Sequence, residues 1–151
     1  MIRVLITGAN SYIGVSVEKW LMKTPEQFHV DTVDTMNDAW KQVDFSLYDV
    51  VFHVAGIAHV DPKPEMAPLY YKVNRDLTVE IARHAKECGV KQFVFMSSKI
   101  VYQSSKDLKD HVVTLQTEPK PNDFYGDSKL QAEKGAATVL RVDGGDGPFT
   151  R

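Results

Sequence analysis

Tyr125 and Lys129 stand four residues apart in the stretch Tyr125-Gly126-Asp127-Ser128-Lys129-Leu130-Gln131-Ala132-Glu133. On a helix that spacing puts both side chains on one face, where an ammonium near the phenol favours its ionised form. A phenol tuned in this way exchanges a proton with a substrate hydroxyl near neutral pH. The same spacing arises by chance in many proteins, so its meaning depends on what lies beside it. A second stretch able to do chemistry is Thr7-Gly8-Ala9-Asn10-Ser11-Tyr12-Ile13-Gly14, entered from the apolar run Ile2 to Ile6. It reads as a strand emptying into a phosphate-binding turn. Gly8 lets the backbone turn tightly towards a helix N-terminus, whose unpaired amides and positive dipole end favour a pyrophosphate. The usual fingerprint carries three glycines, and here Ser11 takes the place of the middle one. A plain strand-turn-helix junction without a ligand is the alternative reading.

These residues need a scaffold, and the chain is long enough to build one. Its 151 residues, 43% of them hydrophobic, are the size of one domain with a core of its own. Eighteen basic and twenty acidic residues give a net charge of −2. With no long run of either sign, no nucleic-acid or membrane footprint is visible, and a small molecule is the expected partner. The single cysteine, Cys88, has no intramolecular disulfide partner, which predicts a reduced, cytoplasmic protein. The N-terminal apolar run is broken by Arg3 and is too short for a signal peptide or a membrane span.

Strands and helices alternate along the chain. Ile13, Val17, Trp20 and Leu21 recur at helical spacing until Thr24-Pro25, predicting a helix whose apolar face packs on a sheet. Phe28 to Asp34 is rich in β-branched residues and ends on a carboxylate 20 positions beyond Gly14. Asp34 thus falls where a ribose reader belongs, accepting hydroxyls and repelling a 2′-phosphate, which favours NAD over NADP. A solvated strand-end aspartate is the plainer reading. Between residues 35 and 48 no full helix fits, and a brief strand is expected at Trp40 to Val43. There Asp44-Phe45 meets the adenine or forms an ordinary turn. Asp49 to Gly56 is a second apolar strand, and its small end, Val54-Ala55-Gly56, permits close approach of a ligand. His53 and His59 raise a metal site, but no ligand partners stand at suitable spacing, and no metal is expected. From Pro68 to Cys88 a long amphipathic helix is predicted, capped by Gly89, with Asn74 an amide that mid-helix is usually exposed. Val90 to Met96 is the next strand and opens into Ser97-Ser98. Such alternation implies right-handed crossovers and a parallel sheet with ligands at the carboxyl ends of its strands, so Ser98 belongs beside the cofactor.

In this order, the motifs resemble the extended short-chain dehydrogenase/reductase family, particularly its NAD-dependent sugar epimerases and dehydratases. The resemblance covers roughly residues 1 to 134. It rests on Thr7-Gly8 through Ile13-Gly14, Phe52 to Gly56, Asn74, Ser97-Ser98 followed by Val101-Tyr102, and Tyr125 to Lys129. It implies an α/β, Rossmann-like doubly wound parallel sheet. The NAD-binding domain would occupy residues 1–142, incomplete at its C-terminal end, and a Gly-rich tail residues 143–151. The resemblance implies that Ser98 holds the substrate hydroxyl, Tyr125 removes its proton, and Lys129 binds the nicotinamide ribose and tunes the tyrosine. NAD would be held by Gly8, Asn10, Ser11, Tyr12, Ile13, Gly14, Asp34, Asp44, Phe45, Val54, Ala55, Gly56, Asn74, Tyr125 and Lys129.

The implied reaction is transient oxidation of a nucleotide sugar, with a UDP-sugar and chemistry like that of UDP-glucose 4-epimerase as the specific expectation. Dehydratases of the family carry an acidic pair after the position of Ser98. Lys99 and Ile100 stand there instead, which favours the epimerase. A reductase of a non-sugar carbonyl using NAD(P), or a non-catalytic NAD-binding remnant, are the alternatives. The resemblance also implies a homodimer paired through the two long helices. Two departures stand out: Ser11 brings a Cβ to the pyrophosphate turn, and Lys134-Gly135 is expected to end the catalytic helix early, with Ala137 to Val142 as the next strand. The substrate half of the family fold is not expected within these residues, so the chain alone is expected not to turn over.

Overall fold

The computed structural model describes residues 1–58, 63–102 and 112–140. Four strands, β1 (Ile2–Thr7), β2 (Phe28–Val33), β3 (Val50–His53) and β4 (Gln92–Phe95), form one parallel sheet in the order β2-β1-β3-β4. The central strand β1 explains its own composition. Its side chains alternate between two covered faces, so every one of them from Val4 to Thr7 is apolar or hydrogen-bonded and buried. Val4, Ile6 and Phe52 face helix α1 (Tyr12–Leu21), where Val17 and Leu21 meet them. Leu5, Val51 and Phe93 face the other layer, with Ile81, Ala82 and Ala85 of α3 (Leu77–Glu87) and Ala136 of α4 (Phe124–Leu140). The expected doubly wound parallel architecture is the observed one.

Several local expectations are corrected. Trp20 is on the outer side of α1, 68% exposed, with the Lys23 ammonium over its ring. Trp40 to Val43 is no strand. Asn37 accepts the Ala39 amide and starts a 3-10 turn, Asp38–Gln42, which drops Trp40 into the core beside Phe45 and His84. The long helix is in three parts: α2 (Ala67–Tyr70), a π turn (Tyr71–Asp76) and α3, and Gly89 follows it at φ +75° as expected of its cap.

The largest correction concerns Gly135. It neither ends α4 nor precedes a strand, since the helix runs unbroken to Leu140. A Cβ on Gly135 would fall 2.5 Å from Val79 Cγ2, so the glycine is the place where α3 and α4 approach. Glycine's intrinsic cost in a helix is about 1 kcal/mol, and packing outweighs it here. Residues 141–142, the end of the expected strand and domain, and the tail 143–151 lie outside the described residues.

Candidate functional site

Strand register builds the site. Thr7 pairs with Val33 on one side and His53 on the other, and His53 pairs with Phe95. All four strands therefore end level, and the residues that follow them, Gly8 to Gly14, Asp34, Val54 to Gly56 and Met96 to Ser98, share one edge of the sheet.

At that edge the turn after β1 is tightly made. Gly8 adopts φ +121°, and a Cβ there would lie 2.7 Å from the Ala55 nitrogen, so only glycine fits between the turn and the end of β3. The amides of Gly8 and Ala9 donate to the Val33 carbonyl at 2.9 and 3.0 Å, tying the turn to β2. Asn10 takes the left-handed conformation at φ 64°. Ser11 is the N-cap of α1, its Oγ accepting the Gly14 amide at 3.1 Å. A Cβ on Gly14 would stand 2.7 Å from that Oγ and 3.0 Å from the Gly8 carbonyl, so serine and glycine here are a matched pair. The capped turn uses the Ser11, Gly14 and Val15 amides internally. It leaves those of Tyr12 and Ile13 as the first-turn donors at the positive end of the helix, a cradle of the size and charge that suits a pyrophosphate. The Tyr12 side chain itself is exposed.

Asp34 follows β2 directly and is exposed, with Oδ1 accepting the Met36 amide at 2.8 Å. Asp44 caps a second 3-10 turn, Phe45–Leu47, and accepts both the amide and the hydroxyl of Ser46. Phe45, expected at the adenine, is instead fully buried in the core against Trp40 and His84 and offers no surface to a ligand.

Beneath the edge lies a fully buried hydrogen-bond chain. Thr7 Oγ1 meets His53 Nδ1 at 2.7 Å, and His53 Nε2 meets Thr78 Oγ1 at 3.0 Å. Thr78 donates its one hydroxyl proton to the Asn74 carbonyl at 2.7 Å. It must therefore accept from Nε2–H, which fixes the imidazole as that tautomer with Thr7 donating to Nδ1. Burial, with the Lys129 charge adding, holds the His53 pKa down to about 3. Both ring nitrogens are committed to threonines, so His53 is no metal ligand; His59 lies outside the described residues. Among the described residues no three His, Cys, Asp or Glu side chains converge.

Asn74, which a plain mid-helix reading would leave exposed and the resemblance places at the cofactor, is fully buried in the π turn. Its Oδ1 accepts the Ile57 amide at 2.9 Å, and its Nδ2 donates to the Ile57 carbonyl and to Ser128 Oγ, both at 3.1 Å. One side chain thus clamps the segment after Gly56 to α4. Lys129, 5% exposed, extends beside Gly56, where a Cβ would stand 2.9 Å from Nζ and 3.0 Å from Asn74 Oδ1. Its ammonium donates to the Met96 carbonyl at 3.2 Å and lies 4.9 Å from the Phe95 ring centroid. Burial brings its pKa down to about 8 against the opposing charge of Glu133.

Tyr125 is half-buried one turn before Lys129, its ring edge-on to Tyr70 at 5.7 Å. Ser98 caps the 3-10 turn Lys99–Val101 through the Ile100 amide. Gly126 brings that turn against α4, since its Cβ would meet the Ile100 carbonyl at 2.8 Å. Three features escaped sequence reading: the Thr7–His53–Thr78 chain, the π turn, and a hydrogen bond from Ser97 Oγ to Glu133 Oε1. Only the last left a signal, because Glu133 stands one turn after Lys129.

The model of the NAD dependent epimerase/dehydratase family matches residues 4–142. A UDP-glucose 4-epimerase of Vibrio cholerae is 32% identical over 148 residues, 87% of this chain and 45% of that protein. A 3-beta-hydroxysteroid dehydrogenase of Mycolicibacterium neoaurum is 24% identical over 98% of this chain and 45% of that one. Among solved structures, MoeE5 in complex with UDP-glucose and NAD superposes with a TM-score of 0.78 at 25% identity, covering 93% of this chain and 50% of that one. UDP-glucuronic acid 4-epimerase from Bacillus cereus in complex with NAD shares the fold, with a TM-score of 0.70 at 21% identity over 91% of this chain and 52% of that one. The chain spans about half the length of the relatives it matches.

Proposed function

The chain belongs to the NAD-dependent epimerase/dehydratase family, and on that premise we propose that it is the NAD-binding part of a nucleotide-sugar epimerase acting on a UDP-sugar. NAD, when bound, supplies the hydride acceptor for a sugar carbon. The Tyr12 and Ile13 amides hold the pyrophosphate, Asp34 takes the adenosine ribose hydroxyls, and Asp44 lines the adenine end. Asn10 and the turn glycines shape the cradle. Val54 to Gly56, small and level with Gly8, let the dinucleotide lie against the sheet edge, with Asn74 fixing the segment behind them. Ser98 orients the sugar hydroxyl, Tyr125 takes its proton, and Lys129 holds the nicotinamide ribose.

The observation that carries this reading is Lys129. An ammonium only 5% exposed, fixed on the Met96 carbonyl at the strand-end edge and beside Gly56, costs desolvation that a folded core has no reason to bear. The match to the Vibrio cholerae UDP-glucose 4-epimerase favours a UDP-sugar. We further propose a homodimer through the two long helices, where Arg75 of the π turn, Val79 and Arg83 of α3, and Gln131 and Gly135 of α4 line a shallow groove.

Calorimetric titration tests the cofactor. Asp34 ends β2 and no Arg or Lys lies between Lys23 and Lys41, so NAD is expected to bind more tightly than NADP. Equal affinity for the two would overturn the assignment of Asp34.

A further inference from the structure

Helix α4 grips the end of β4 at two consecutive residues. Lys129 Nζ donates to the Met96 carbonyl at 3.2 Å, and one helical turn later Glu133 accepts the hydroxyl of Ser97. At this point the ladder is ending. The Met96 amide still donates to the His53 carbonyl at 2.9 Å, but the Ser97 amide turns back to Phe95 at 3.1 Å. Beyond it the chain has left the sheet, and the next residue is Ser98, whose side chain starts the Lys99–Val101 turn. The path of Ser98 is thus set by what holds Ser97.

We infer that Glu133 is a positioning residue of this site: through Ser97 it anchors the end of β4 that carries Ser98, and it supplies the countercharge to the Lys129 ammonium. The inference rests on the reading of Ser98 and Lys129 as working residues. Anchoring alone would need only an acceptor, which a glutamine provides as well as a glutamate. The charge has a separate use. The other elements packed around Lys129 bring His53 from β3, held neutral, the uncharged Asn74 from the π turn and the Phe95 ring from β4, while Tyr125 stands one turn earlier on α4. Glu133 is the carboxylate whose charge opposes the desolvation of the ammonium.

The two roles separate by substitution, read by NMR on the 151-residue chain. In Glu133→Gln the Ser97 hydroxyl keeps its acceptor. The Ser97 and Ser98 amide shifts and exchange rates are expected to match the wild type, while the titration midpoint of the Lys129 side chain moves below its wild-type value of about 8. In Ser97→Ala and Glu133→Ala the anchor is broken from either side. Both variants are expected to show a shifted and faster-exchanging amide at Ser98 and at the position before it. An unmoved midpoint in Glu133→Gln overturns the countercharge, and an unchanged β4 end in Ser97→Ala overturns the anchor. Ser97→Ala removes a single hydroxyl, so it decides the second point even if Glu133→Ala does not fold. None of these readouts uses NAD. A wild-type chain that failed to bind NAD would refute the cofactor reading and leave the placement of Glu133 to be decided by the same spectra.

Discussion

Tyr125 and Lys129 sit one turn apart at the mouth of the strand-end edge, with the lysine buried and the tyrosine half-buried. Removing the phenol oxygen leaves the ring and its edge contact to Tyr70 in place. In a full-length context that supports turnover, Tyr125→Phe is therefore expected to slow the reaction by roughly a hundredfold or more while NAD affinity changes little. Steady-state kinetics beside calorimetry would check this, and a near wild-type rate would remove Tyr125 from the mechanism. His53 makes a different prediction, about stability. Its folded pKa of about 3 lies below the ordinary histidine value of about 6.5, so between them the unfolded chain binds a proton that the folded one refuses. Its contribution is fully present above the unfolded value and is lost as pH falls towards the folded one, at up to about 1.4 kcal/mol per pH unit. Urea denaturation from about pH 7 to 5 should show a steeper loss for the wild type than for His53→Gln. Parallel slopes would mean that the imidazole does charge in place. The two kinds of residue differ in legibility. Tyr125, Lys129 and the Gly8 turn announce themselves through local spacing, whereas His53 takes its meaning from Thr7 and Thr78, 46 and 25 positions away.

Elements were legible where periodicity set them and illegible where close packing did. The four strands and the helices α1 and α3 follow from apolar patterns. Gly135 reads as a helix end by propensity, yet it lies inside α4 because Val79 of α3 occupies the space of its Cβ. Gly135→Ala sets two effects against each other. Alanine gains about 1 kcal/mol of helix propensity, while overpacking costs about 1 to 3 kcal/mol. The contact is 2.5 Å to a branched, rotamer-restricted side chain, so overpacking wins and the variant should be less stable. In a Val79→Ala background the obstruction is gone, and the same substitution should become stabilising. Chemical denaturation of the four proteins of this cycle checks the sign change, and its absence would show that the helices do not meet at Gly135. The π turn is the other illegible element. Asn74 is buried because the helix loosens there, and no residue type from Tyr71 to Asp76 announces that loosening.

At the scale of the whole molecule, a cofactor edge is present in a chain about half as long as its relatives. On the proposed epimerase reading, turnover also needs a sugar held over the nicotinamide, and orientation of that kind is worth about 7 to 11 kcal/mol of barrier. The 151-residue chain incubated with NAD and UDP-galactose is therefore expected to form no UDP-glucose above a control without protein. Multiple turnovers would show that these residues build a substrate site of their own. The level strand ends have one more consequence, and it concerns time. Thr7 and His53 are 46 residues apart, Lys129 and Met96 are 33, and Asn74 and Ser128 are 54. Contacts of such sequence separation wait for long loops to close. As the chain is synthesised, the turn after β1 emerges well before α4, the helix that carries Lys129. Until α4 docks, neither the β4 end nor the Ile57 segment has its clamp, so affinity for a dinucleotide should appear late and abruptly as the chain lengthens.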